Sequence, residues 1–200
     1  TAAIDNARKL KEENITYQVD SLTIDGFIVY DENTTGKRPA VLVVHEWWGL
    51  NDYAKKKARE LAKLGYIAMA IDMYGNSQRA DNPTDAAKLA GPFYQNPAFA
   101  KKHVDAALKI LKAYPQADTT KIAGIGYCFG GGVLLNIARM GENLNGVVSF
   151  HGNLTGTAAD KNLLKAKILV LHGEDDKYVT AEEVATFKRE MDSIKADYTF

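Results

Sequence analysis

Short apolar segments alternate with amphipathic helical segments along most of this 200-residue sequence. The segment PAVLVVHE, which starts at Pro39, is apolar up to its last two residues, as expected for a strand buried on both faces of a sheet. The next segment, DYAKKKARELAKLG, has helical periodicity, with Asp52 near its start and Gly65 at its end. This order predicts an α/β fold with a mostly parallel sheet and helices on both faces.

The alternation continues to the end of the chain. Further strands are predicted at the segments YIAMAID, KIAGIG, LNGVVSFHG and AKILVLHG, and a last strand at ADYTF. Helices are predicted at residues 99–114, 131–140 and 181–193. We interpret residues 77–99 as an irregular segment that covers the functional edge of the sheet.

The residues before Pro39 have the period of exposed strands. ITYQV and TIDGFIVY alternate between apolar and polar residues, which indicates an antiparallel edge to the sheet. Asp25 and Gly26 are predicted to form a bulge or turn inside the second of these strands. Because no repeat, low-complexity tract or linker interrupts the pattern, residues 1–200 are interpreted as a single domain.

The composition favours a small-molecule partner. The 25 basic and 25 acidic residues cancel, and no basic run interleaved with aromatic residues is present, which argues against a nucleic-acid or membrane partner. With one cysteine and no clustered Cys/His spacing, neither an internal disulfide nor a metal site is predicted, and no cofactor is expected. Neither a membrane-spanning run nor a signal-peptide core is found, so we expect a soluble protein, either cytoplasmic or exported with its signal removed. The oligomeric state stays open.

Polar residues follow four of the predicted strands. They are His45 with Glu46, Cys128, His151, and the stretch from His172 to Asp176. Because the carboxyl ends of parallel strands meet at one edge of a sheet, we expect these residues to form a functional site there.

The chain's only cysteine lies in the glycine-rich segment GIGYCFGGG. This segment matches the G-x-S-x-G nucleophile elbow with Cys128 in place of serine, and Gly126 and Gly130 allow the sharp turn from strand to helix. The helix N-terminus favours a thiolate. The backbone N–H groups of Phe129 and Trp47 are the predicted donors to an oxyanion.

Two other interpretations of this segment were weighed. An inert, buried Cys128 is the first, but a cysteine that only packs does not require the flanking glycines. A dinucleotide-binding loop is the second, but Phe129 occupies the position of its third glycine and the segment lies in the middle of the chain.

Two acidic residues are candidates for the site. Asp176 fits G-x-x-D-x-x-V after a strand, where hydrolases of this architecture place the acid that orients a histidine, and a helix cap is the alternative. Glu46 ends a buried strand, where a carboxylate is costly unless it is paired or protonated. We expect it near the Cys128 thiol, with a cap on the following helix as the alternative. Trp47 and Trp48 are expected to be walls of the site or core residues.

The motifs VVHEWWGLND, GYIAMAIDMYG, GIGYCFGGG, VVSFHG and LVLHGEDDKYV resemble, in the same order, those of the dienelactone hydrolase family. The resemblance covers roughly residue 17 to the end. It implies an α/β-hydrolase fold and a Cys-His-Asp triad that acts on lactones or related esters without a cofactor.

The resemblance also implies individual roles. Cys128 would be the nucleophile, Asp176 the orienting acid, and Glu46 the carboxylate that holds the resting thiol. Phe129 and Trp47 would donate to the oxyanion.

Substrate-binding roles are expected for three further residues. Trp48 would wall the site, and His151 in VVSFHG lies at the functional edge of the sheet. The family uses arginines for a substrate carboxylate, and Arg79 is the nearby candidate, with an exposed, solvated arginine as the alternative.

The family's histidine lies after the last strand, whereas this sequence has no histidine after Asp176. His103 is predicted to be exposed in mid-helix. We therefore expect a sequence that lacks the family's C-terminal strand and helix. The alternatives to a lactone or ester hydrolase are a catalytically incompetent hydrolase-fold binding protein and, disfavoured by the single cysteine, a thiol redox protein.

Overall fold

The computed structural model describes residues 8–200, which fold into eight strands and five helices. In chain order these are β1 (Leu10–Val19), β2 (Leu22–Asp31), β3 (Arg38–Val44), α1 (Asp52–Lys63), β4 (Ile67–Ile71), α2 (Pro83–Gln95), α3 (Pro97–Ala113), β5 (Ala117–Tyr127), α4 (Phe129–Arg139), β6 (Gly146–Phe150), β7 (Lys167–Leu171), α5 (Ala181–Ser193) and β8 (Tyr198–Thr199). Among the described residues, no helix has the length and apolar character needed to cross a bilayer.

The strands form one sheet in the order β1-β2-β4-β3-β5-β6-β7-β8. β2 pairs antiparallel with β1 and with β4, and all other pairings are parallel. The predicted α/β fold and its antiparallel N-terminal edge are thus confirmed. The carboxyl ends of β3, β5, β6 and β7 lie side by side at one edge of the sheet, because these strands are neighbours and parallel.

Gly26 has a packing role in β2. The prediction of a bulge or turn at Asp25 and Gly26 is wrong, because β1 and β2 pair without a break from Leu10–Asp31 to Val19–Leu22. A Cβ atom at Gly26 would lie 2.9 Å from side-chain atoms of both Ile15 and Met69. Glycine at this position therefore leaves room for the side chains of Ile15 and Met69 to pack against β2.

Helices cover both faces of the sheet. On one face α1 packs through Ala54, Ala58 and Ala62, whose spacing of four residues aligns them on one side of the helix. Apolar residues of α2, α3, α4 and α5 join the core on the other face.

The segment over the functional edge of the sheet is helical, so the prediction of an irregular segment at residues 77–99 is wrong. Asn82 caps α2 by accepting a hydrogen bond from the N–H of Asp85 at 3.0 Å. Pro92 lies inside the helix. Because proline usually ends a helix, its presence argues against a helix when the sequence alone is considered. Asn96 then caps α3, which begins at Pro97 rather than at Phe99.

His103 is 1% exposed, so the prediction of a surface position is wrong. Its ring packs edge-on against Phe93 and Phe99. Burial lowers the pKa of His103 to about 4, which keeps the imidazole neutral at neutral pH. His103 is therefore part of the core between α2 and α3.

Candidate active site

The turn from β5 to α4 places Cys128 at the functional edge of the sheet. Cys128 has φ 50° and ψ −113°, a strained conformation for a residue with a side chain. Its N–H donates to the carbonyl oxygen of Phe150 at 2.8 Å, which ties the turn to the end of β6. This is the backbone geometry expected of a nucleophile elbow.

Two glycines make the turn sterically feasible. A Cβ atom at Gly126 would lie 2.3 Å from the carbonyl carbon and oxygen of Gly130. A Cβ atom at Gly130 would lie 2.4 Å from the carbonyl oxygen of Val44. Because these neighbours are backbone atoms, a side chain at either position would force the strand and the helix apart.

A cavity of about 450 Å³ opens beside Cys128. Its apolar and aromatic lining comes from Trp47, Trp48, Ala87, Tyr94, Tyr178 and Val179. Its other lining residues are Glu46, Cys128, His151 and Asn153. The structure thus brings together residues from the loops after β3, β5, β6 and β7, and adds α2 as a wall.

The electrostatic environment of Cys128 opposes ionisation. Burial raises the pKa of the thiol, and the negative charges of Glu46 and Asp176 raise it further, while a hydrogen bond from the N–H of Phe129 lowers it. The net shift is upward, so the resting sulfur is a protonated thiol at neutral pH.

Glu46→Gln is expected to speed alkylation of Cys128 by iodoacetamide about two- to fivefold at a fixed neutral pH, because removing the negative charge lowers the thiol pKa and increases the thiolate fraction. Alkylation can be followed by mass, and only Cys128 can react as a thiol. Glu182→Gln, at an exposed glutamate of α5, is the matched control and should leave the rate unchanged. Equal rates in the two variants would show that Glu46 does not act on the sulfur.

The backbone around the elbow is held by His45. Its Nε2 accepts the N–H of Met73 at 3.1 Å, and its Nδ1 donates to the carbonyl oxygen of Glu46. Its carbonyl oxygen accepts the N–H of Gly130 at 3.1 Å. Burial lowers the pKa of His45 to about 4, so the ring stays neutral and keeps both hydrogen bonds at neutral pH.

Trp47 follows directly in the loop that His45 holds. The hydroxyl of Tyr74 donates to the carbonyl oxygen of Trp47 at 2.9 Å, which fixes the orientation of this part of the loop. Phe129 lies at the start of α4, where an N–H has no partner in its own helix.

Two histidines face Asp176. The Nδ1 atom of His151 lies 3.6 Å from Oδ2 of Asp176, and that of His172 lies 4.0 Å from the same atom. Oδ1 of Asp176 accepts the N–H of Tyr178 at 2.8 Å, which holds the carboxyl group in place. Of the two histidines, only His151 lines the cavity with Cys128.

Arg79 does not line this cavity. Its side chain borders two other cavities on the surface. A Cβ atom added at Gly49 would lie 3.3 Å from the Cα atom and 3.2 Å from the Cγ atom of Arg79. The N–H of Ala80 donates to the carbonyl oxygen of Trp48. The backbone around Arg79 is thus packed against the loop that contains Trp47 and Trp48.

Several cavity residues belong to no motif that can be recognised in the sequence. Tyr94 and Ala87 come from α2, Asn153 from the loop after β6, and Tyr178 and Val179 from the loop before α5. Within residues 8–200, no group of three or more His, Cys, Asp or Glu side chains is arranged to hold a metal ion.

The chain is similar to known proteins in sequence and in structure. The sequence model of the dienelactone hydrolase family matches residues 24–200. A solved dienelactone hydrolase-like promiscuous phosphotriesterase from metagenomic libraries is 36% identical, with a TM-score of 0.90 over 95% of this chain and 80% of its own.

Two curated relatives come from the genus Aquifex. Protein usf of Aquifex pyrophilus is 30% identical over 76% of this chain and 68% of its own length. A predicted carboxymethylenebutenolidase of Aquifex aeolicus is 31% identical over 73% of this chain and 65% of its own length. The match thus spans about two thirds of the length of each of these relatives.

Proposed function

This chain belongs to the dienelactone hydrolase family and has the α/β-hydrolase fold, and from that premise we propose that it hydrolyses lactones or activated carboxylic esters through Cys128. The observation that carries the proposal is the position of Cys128, at a strained elbow that opens into an aromatic cavity. The test is the turnover of phenyl acetate and of an aryl lactone such as dihydrocoumarin, with Cys128→Ala beside the unaltered chain.

The first step is acyl transfer to sulfur. When a substrate carbonyl approaches, the thiol proton passes to Glu46, whose negative charge otherwise opposes the thiolate. The sulfur attacks the carbonyl carbon, the bond to the leaving oxygen breaks, that oxygen takes the proton from Glu46, and an acyl-enzyme remains on Cys128.

The backbone around the sulfur is suited to stabilise this step. The N–H of Phe129 already faces the sulfur and lies at a helix N-terminus, where partial positive charge accumulates. The N–H of Trp47, in the loop that His45 and Tyr74 hold, is the second proposed donor to the developing oxyanion.

Water then attacks the acyl carbon while a histidine takes one of its protons, the C–S bond breaks, and that proton returns to the sulfur as the acid leaves. The histidine that activates this water must reach the acyl group and an orienting carboxylate. Within residues 8–200, His151 is the histidine that both lines the cavity and lies near Asp176, so we assign it this role in the 200-residue chain.

His151→Asn is expected to lower the steady-state rate of phenyl acetate hydrolysis at least about tenfold while acyl-enzyme accumulates, because an amide cannot accept the proton from water. A burst of phenol followed by a slow phase is the expected kinetic record. His172→Asn is the control, because His172 faces Asp176 but does not line the cavity.

A role for His151 in substrate binding alone makes a different prediction. The variant would then raise KM without an accumulated acyl-enzyme, and the base would have to be the histidine that the family resemblance places after the last strand.

Phosphotriesters are the second candidate substrate class. The solved relative described as a promiscuous phosphotriesterase favours an aryl phosphotriester as an additional assay substrate. The same Cys128 dependence is expected for this reaction, since both begin with attack on an electrophilic centre beside the elbow.

A further inference from the structure

The cavity beside Cys128 is built for an uncharged group. Six of its ten lining residues are apolar or aromatic, and the two tryptophans stand edge to face at 5.2 Å between ring centres. Its volume of about 450 Å³ is ample for one aromatic ring with an ester group.

None of the described residues that border the cavity is a lysine or an arginine. Arg79 borders two other cavities, one with Lys55 and one with Lys88. A carboxylate group on a substrate would therefore enter the aromatic cavity without a cationic partner, which is costly for a desolvated charge.

The nearby charges are negative. Glu46 lines the cavity, and Asp176 is close enough to act on the Cys128 sulfur through its charge. The imidazole of His151 also lines the cavity, and its Nδ1 atom lies 3.6 Å from Oδ2 of Asp176, so an acidic partner already faces it.

We propose that this cavity selects uncharged aryl esters and lactones and discriminates against substrates that carry a carboxylate. The proposal rests on the proposed hydrolase function and adds the charge of the substrate. It differs from the expectation of an arginine that binds a substrate carboxylate.

The test compares 4-acetoxybenzamide with 4-acetoxybenzoate, which have nearly the same shape and differ in charge. After correction for their hydroxide-catalysed rates, kcat/KM is expected to be at least about tenfold higher for the benzamide. Equal values, or a preference for the benzoate, would overturn the proposal.

A positive charge placed in the cavity should reduce the discrimination. Ala87 lines the cavity from α2, and Ala87→Arg is expected to reduce the preference for the benzamide at least about fivefold. Gln95→Arg is the matched control, because Gln95 is exposed on the same helix and does not line the cavity. If Ala87→Arg fails to fold, Ala87→Lys replaces it, and equal effects of the cavity and control variants would contradict a local origin.

Binding can be measured without turnover. Trp47 and Trp48 are the chain's two tryptophans and both line the cavity, so tryptophan fluorescence reports on its occupancy. 4-Hydroxybenzamide is expected to quench this fluorescence at lower concentration than 4-hydroxybenzoate. The absence of turnover would count against the proposed hydrolase function, whereas equal or reversed binding of the two phenols would count against charge selection.

Discussion

Cys128→Ala is expected to lower kcat/KM for phenyl acetate and dihydrocoumarin by at least about 10³-fold, because the proposed reaction has no second nucleophile. The loss should appear in kcat, since the aromatic walls of the cavity remain and can still bind substrate. Initial rates, corrected for uncatalysed hydrolysis, provide the measurement.

Two controls separate loss of the nucleophile from loss of the fold. The thermal midpoint of Cys128→Ala should stay close to that of the unaltered chain, because a small, partly exposed side chain is removed. Iodoacetamide should inactivate the unaltered chain in step with labelling of its single cysteine. Hydrolysis within tenfold of the unaltered rate in a folded Cys128→Ala would rule out Cys128 as the nucleophile.

Gly126→Ala is expected to lower the free energy of unfolding by about 3 kcal/mol or more and to abolish ester hydrolysis. The new Cβ atom would lie 2.3 Å from backbone atoms of Gly130, which belong to the first turn of α4. That contact can be relieved only by moving the helix away from the strand, which also displaces Cys128.

Gly91→Ala is the matched control for this substitution. Gly91 lies inside α2, and a Cβ atom there would meet nothing within 4 Å. Alanine should therefore change the free energy of unfolding by less than about 1 kcal/mol, because its better helix propensity is opposed by the restriction that Pro92 places on the residue before it. Urea unfolding followed by tryptophan fluorescence compares the two variants, and an equally small effect of both would show that the elbow does not require glycine at residue 126.

The sheet could be predicted because apolar segments of the sequence identify its buried strands. The apolar runs at β3, β4 and β7 leave few alternatives, and the chain order of strands and helices then determines which strand ends meet. The convergence of Cys128 with Glu46 and His151 on one cavity follows from that topology.

Helix α2 and His103 were mispredicted although the sequence carried information about both. Asn82 followed by Pro83 is a typical helix start, but Pro92 obscured the rest of α2. His103 falls in the spacing of the buried residues Ala100, Val104 and Ala107, so the periodicity of α3 already favoured burial.

Other parts of the site depend on tertiary packing and cannot be inferred from spacing. Arg79 borders two cavities other than the one beside Cys128, a placement that its local sequence does not encode. Tyr94 and Tyr178 reach the cavity from separate elements with no shared motif. The hydrogen bonds that His45 accepts from the N–H groups of Met73 and Gly130 likewise require β3, β4 and α4 to be in place.

The most direct measurement of the central claim is intact-mass spectrometry of the chain after rapid acid quenching during turnover of phenyl acetate. The predicted result is a single acetyl adduct that peptide mapping assigns to Cys128, that accumulates further in His151→Asn and that is absent from Cys128→Ala. Hydrolysis that proceeds under single-turnover conditions without an adduct on Cys128, in the unaltered chain and in His151→Asn alike, would contradict the acyl-enzyme mechanism.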